Sequence, residues 1–166
     1  MRLRAAASIA LLAVLAPTPL LAKPAAPPAP AQSAQFIGTA INVADRERSL
    51  RFYTQALGLH LATTISTGKG SETILQFPGS PGQPALLLMH DNTPAAPAAM
   101  THGNGFSRLV LRVTDLAVLA ARMDQLGYAH GAVSQAGQAG YSIMMANDPD
   151  GYRLELVQQV QPQTGS

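Results

Sequence analysis

An internal duplication constrains this chain more than any other feature. "IGTAINV" (37–43) alternates as a strand, Asp45 is placed to cap a helix through "RERSLRFYTQAL", and Gly58 stops that helix. "FSRLVLRV" (106–113), Asp115, "LAVLAARMDQL" and Gly127 repeat the same order. Val43 and Val113 lie 70 positions apart, as do Asp45 and Asp115, while Gly58 and Gly127 lie 69 apart. Three strand-like runs follow each helix: "LHLATTIS", "ETILQF" and "PALLLMH", then "YAHGAVS", "GYSIMMAND" and "YRLELVQ". The spacing predicts an α+β domain over 36–160 built from two βαβββ modules, 36–90 and 106–160, with a connection at 91–105 and a tail at 161–166. That connection is long enough for the modules to pair within one chain or between two, which leaves a homodimer open.

The N-terminus has a different character. Arg2 and Arg4 precede the apolar run "AAASIALLAVLA" (5–16), Pro17 and Pro19 interrupt it, and Ala22 offers a small residue for cleavage. This is the pattern of an export signal over 1–22, and the run is too short for a bilayer span of roughly 20 residues. "KPAAPPAPAQSAQ" (23–35) reads as an extended linker. The expected location is therefore outside the cytoplasm, in a bacterial periplasm. The formal charge of +2 disappears when Arg2 and Arg4 are removed, and no basic run remains, so nucleic acid is not an expected partner. The absence of cysteine excludes thiol catalysis, cysteine metal sites and disulfide staples, so stability must come from the core.

"NDPDGYRLELVQ" (147–158) carries the second informative pattern. Asp148, Pro149, Asp150 and Gly151 suit a tight turn, and the turn sets the register of the strand after it. In that strand Leu154 and Leu156 alternate with Arg153, Glu155 and Val157. "GKGS" (68–71) lacks the spacing of a phosphate-binding loop and reads as another turn, and no serine-centred nucleophile elbow is present.

"NVADRERSLRFYTQALGLHL" and "NDPDGYRLELVQ" resemble the opening and closing segments of the vicinal oxygen chelate superfamily, which comprises glyoxalase I, bleomycin- and fosfomycin-resistance proteins and extradiol dioxygenases. The resemblance implies two rolled sheets forming a cup, with helices outside and a small-molecule ligand inside. Alternation then assigns Ile41, Val43, Leu87, Met89, Leu109, Leu111, Val113, Leu154 and Leu156 to the helix side. It assigns Gly38, Ala40, Asn42, Leu86, Leu88, His90, Arg108, Val110, Arg112, Arg153, Glu155 and Val157 to the cup.

Metal-dependent members place one ligand on each of four inner strands. Position by position, the resemblance carries these onto Gly38, Leu88, Arg108 and Glu155, of which only Glu155 can bind a divalent ion. One carboxylate does not hold Zn²⁺, Ni²⁺ or Fe²⁺ against water, and a guanidinium repels a cation. The expectation is a cup without the family's usual metal, in which Arg108 meets Glu155 as an ion pair. Arg112 and Arg153 then leave a surplus of positive charge for an anionic ligand, with Asn42, Leu88 and His90 as further contacts. The alternative is a metal-dependent glyoxalase-like lyase, of the lactoylglutathione lyase type, with relocated ligands Glu155, His90 and His102. Whether the chain is an enzyme stays open, with Glu155 the best catalytic candidate.

Overall fold

The computed structural model describes residues 34–79, 84–93, 99–135 and 140–159. The signal-like segment 1–22, nearly all of the Ala/Pro tract and the tail 161–166 lie outside the described residues. The element order is β1 (Gly38–Asn42), α1 (Arg46–Arg51) continued by a π-helical turn (Phe52–Ala56), β2 (His60–Thr67), β3 (Gly70–Gln76) and β4 (Ala85–Asp91). The second half holds β5 (Leu109–Arg112), α2 (Leu116–Gln125), β6 (Ser134–Gln135), β7 (Tyr141–Asn147) and β8 (Arg153–Gln159). The strands form two four-stranded sheets, ordered β1-β4-β3-β2 and β5-β8-β7-β6. In each sheet the first and last strands of a module pair in parallel and the rest are antiparallel. Among the described residues no helix is long and apolar enough to cross a membrane.

Local chemistry accounts for the repeated helices. Asp45 Oδ1 accepts from the Arg48 amide at 2.9 Å, and Asp115 Oδ1 accepts from Ala117 at 2.8 Å and Val118 at 3.0 Å. Each carboxylate thus satisfies amides that have no partner in the first turn. Gly58 and Gly127 both sit at φ 74°, a left-handed exit that favours glycine. The first helix differs from the expected regular one: it widens at Phe52, and the Leu57 amide bonds back to the Phe52 carbonyl at 3.3 Å. In a wider turn consecutive side chains are separated by a smaller angle, and Phe52 and Tyr53 are both fully buried. Phe52 meets Tyr128 edge to face, with ring centroids 4.9 Å apart, so one core runs through both modules.

Two expectations are corrected. "YAHGAVS" was expected as a full strand, but only Ser134–Gln135 and an isolated bridge between His130 and Ala146 pair with β7. The Gly131 amide donates to the Met145 carbonyl at 2.7 Å, an irregular approach that breaks the alternation. The faces of β4 are also the reverse of those expected. Ile41 lies opposite Leu88 and Thr39 opposite Leu86, so Leu86 and Leu88 enter the core while Ala85, Leu87 and Met89 share the open side with Gly38, Ala40 and Asn42. Three leucines in a row fix no face by themselves; pairing with β1 does.

Candidate functional site

The open face of the second sheet brings Arg108 to Glu155. Glu155 on β8 lies opposite Val110 on β5, and Arg108 precedes Val110 by two residues on the same face. Arg108 Nε lies against Glu155 Oε2 as an ion pair, and the pair is partly shielded, with side-chain exposures of 42% and 20%. Arg112 and Arg153 belong to the same face, are exposed, and form no ion pair among the described residues. Val157 and Met145 supply apolar surface beside them. On the first sheet Asn42 is exposed on the open side with Leu87 and Met89 beside it.

These residues do not fit the family's four-ligand metal centre. The inward position of the fourth strand is Leu87, not Leu88, and leucine has no donor atom at either place. Gly38 is closed as well as empty-handed: a Cβ there would lie 2.7 Å from the Ala85 carbonyl oxygen and 2.7 Å from Leu87 Cδ1. A histidine cannot enter β1 at that point without displacing β4. We expect Gly38→Ala to cost about 1–3 kcal/mol in urea unfolding, because the obstacle is backbone. The guanidinium of Arg108 holds the third position, against the one remaining acid.

The relocated set is not assembled either. His90 lies on the core side of β4, and its Nδ1 donates to the Val43 carbonyl at 3.1 Å. Both Leu88 and His90 therefore leave the expected ligand surface, since the β1–β4 register turns them towards the helix. His102 docks on the β7–β8 turn, where its Nε2 donates to the Asp150 carbonyl at 2.7 Å and its ring meets Tyr152 edge to face at 4.5 Å. Among the described residues no three His, Asp or Glu side chains gather as a metal cluster. His130 Nε2 lies 3.3 Å from Asp124 Oδ1, away from Glu155.

The turn itself has a role that its sequence pattern did not disclose. Asp150 is fully buried as a side chain, and its Oδ1 accepts from Arg48 Nη2 at 2.8 Å and from the Ala44 amide at 3.1 Å. Its Oδ2 accepts from the Ser49 hydroxyl at 2.7 Å. Asp148 Oδ2 accepts from the Tyr53 hydroxyl at 2.8 Å, and its Oδ1 accepts from the amides of Asp150 and Tyr152 at 2.9 and 2.8 Å. Burial pushes the Asp148 carboxyl above its ordinary range, against those hydrogen bonds, and the charge of Asp150 pushes the same way. Two carboxylates from the second module thus lock onto α1 of the first. A turn needs one such acid, so the second, together with Ser49 and Tyr53 at i and i+4 on a helix, was the available signal.

Two βαβββ repeats with a shared core, open sheet faces and one acid projecting from the closing hairpin define a class of duplicated α+β domain. The chain belongs to the Glyoxalase/Bleomycin resistance protein/Dioxygenase superfamily, whose sequence model matches residues 35–156. It is 30% identical over 137 residues to a probable lactoylglutathione lyase of Vibrio parahaemolyticus, covering 79% of this chain and 95% of that protein. It is 25% identical over 143 residues to a lactoylglutathione lyase of Haemophilus influenzae, covering 79% and 97%. Among solved structures, the trypanothione-dependent glyoxalase I of Leishmania major superposes with a TM-score of 0.63 at 23% identity, over 76% of this chain and 88% of that one. Glyoxalase I of Zea mays gives 0.68 at 23% identity, over 76% of this chain and 45% of that longer one.

Proposed function

We propose that the protein binds a small organic anion on the open face of its second sheet and does so without the four-ligand metal centre. The Arg108–Glu155 contact carries this reading. A guanidinium occupies the place where a metal-binding module would present a ligand, and the acid that could hold an ion is engaged by it. Glu155 holds Arg108 as an ion pair, while Arg112 and Arg153 supply positive charge that no described carboxylate offsets. Asn42 on the first sheet offers a neutral polar group to a ligand held between open faces, whether those faces meet within one chain or in a homodimer. The signal-like N-terminus supports placement in the periplasm.

A second reading, a metal-dependent glyoxalase-like lyase, is favoured by the relatives named lactoylglutathione lyase. It requires donors that the described residues do not bring to Glu155.

Metal analysis and thermal-shift titration of the purified protein separate the two. The expected result is no stoichiometric metal, together with a saturable rise in Tm with small carboxylates such as lactate, malonate or phenylacetate. At a hundredfold excess over Kd such binding adds about 2.7 kcal/mol. Arg108→Met should weaken it at least tenfold, the usual weight of a charge-assisted hydrogen bond. Stoichiometric Zn²⁺, Ni²⁺ or Fe²⁺ that disappears in Glu155→Gln would overturn the proposal in favour of the lyase.

A further inference from the structure

We propose a second ligand site, which meets the open face only at the edge of β5, where Arg112 is common to both: the cleft between the two modules on the helix side, which takes an amphipathic carboxylate with its tail inside and its head at Arg122. The cavity measures about 950 Å³, at the upper end of the range for small-molecule sites. Leu57 and Leu59 follow the first helix, Phe77 follows β3, Leu109 comes from β5, and Val118 and Leu119 from α2; all six line it. These walls belong to the core side of the sheets, whereas Glu155 projects from the opposite face. The cleft also reaches round the free edge of β5, where Val110 and Arg112 line it.

Apolar walls select an apolar body, and the rim selects its charge. Arg122 and Arg112 both line the cleft, are exposed, and form no ion pair among the described residues. The recorded polar contact of the Arg122 guanidinium is a long one, 3.5 Å from Nη1 to the Ala56 carbonyl, which leaves most of its donor fork available. Asp115 is the acid in the lining, and its carboxylate is occupied with the α2 amides. The balance of available charge is positive. Val118 and Phe36 are 55% and 66% exposed at this cleft, a large apolar cost that a bound chain would remove from water. A purely polar anion gains nothing from such walls, and a hydrocarbon gains nothing from the rim. A medium-chain or aryl-alkyl carboxylate uses both.

The test titrates the full chain with decanoate and with decanol as its neutral match. Decanoate should bind at one equivalent, at least tenfold more tightly than decanol. Arg122→Met should weaken decanoate about tenfold and leave decanol unchanged, as expected for loss of one charge-assisted contact. Val118→Trp, at an exposed helical position, should block both by filling the cleft. No binding of decanoate, or binding indifferent to Arg122→Met and Val118→Trp, overturns the proposal. Loss of decanoate binding in Arg108→Met would place the ligand on the open face instead, and also overturns it. So does a dimer that Val118→Trp dissociates, because a second copy would then cover the cleft. Failure here leaves the small-carboxylate titrations with Arg108→Met as an independent result.

Discussion

Asp150→Ala should lower stability by about 3 kcal/mol in urea unfolding at pH 7, with a fall in Tm of roughly 10 °C. The size follows from what the carboxylate leaves behind. It accepts from the Ala44 amide, the Ser49 hydroxyl and the Arg48 guanidinium, and its own side chain is wholly out of water. Ser49 is fully buried, so its hydroxyl cannot turn to solvent. Arg48 keeps 41% exposure and recovers part of its hydration, which places the cost below that of stripping a fully buried ion pair. Asp150→Asn should cost about half as much, since an amide oxygen still accepts and the Ser49 hydroxyl can accept from the amide nitrogen. Asp45→Ala, which removes a helix cap in a more exposed setting, provides the scale at about 1 kcal/mol. If Asp150→Ala costs no more than Asp45→Ala, the turn is not a lock between modules. The variant should also weaken carboxylate binding, because the turn that Asp150 anchors sets the register of β8 and so the aim of Glu155.

The contact between Arg108 and Glu155 was legible in the sequence because alternation in β5 and in β8 sets the face of each residue, and the family resemblance carries two neighbouring ligand positions onto them. The helix caps Asp45 and Asp115 and the exits at Gly58 and Gly127 were legible too, as each works within one turn of chain. What failed was non-local. "ALLLMH" is apolar on both faces, and only its pairing with β1 decides that Leu88 enters the core and Leu87 does not. His102 has no chemistry in its own loop that points to a carbonyl 48 residues away. Asp150 was the opposite case: a turn already explains it, so its partners on α1 stayed hidden. Residues that satisfy a local rule conceal any second role, and here the second role joins the modules.

Above pH 10 the protein should lose stability by up to about 1.4 kcal/mol per pH unit for one linked proton, and Tyr53→Phe should remove most of that slope. Tyr53 is fully buried, and its hydroxyl donates to Asp148 at 2.8 Å. Burial pushes the phenol well above its ordinary value of 10.0, and the charge of Asp148 and the hydrogen bond to it add to the shift. Between the unfolded and folded values the native state holds a proton that the unfolded chain has released, so stability falls as pH rises. Tyr152 is raised too, first by burial, and accounts for the residual slope. At pH 7 Tyr53→Phe should still cost about 1 kcal/mol for the lost hydrogen bond. The partner obeys the same sign at the acid end. Asp148 is raised above 3.8, so its ionisation opposes folding as pH climbs through that region. Asp148→Asn should therefore gain on the wild type from pH 3.5 upwards and hold its gain at neutral pH, since an asparagine oxygen can still accept from the Asp150 and Tyr152 amides. A difference between the two that is flat across that range would mean that burial does not burden the carboxylate. An alkaline slope unchanged in Tyr53→Phe would mean the same for the phenol.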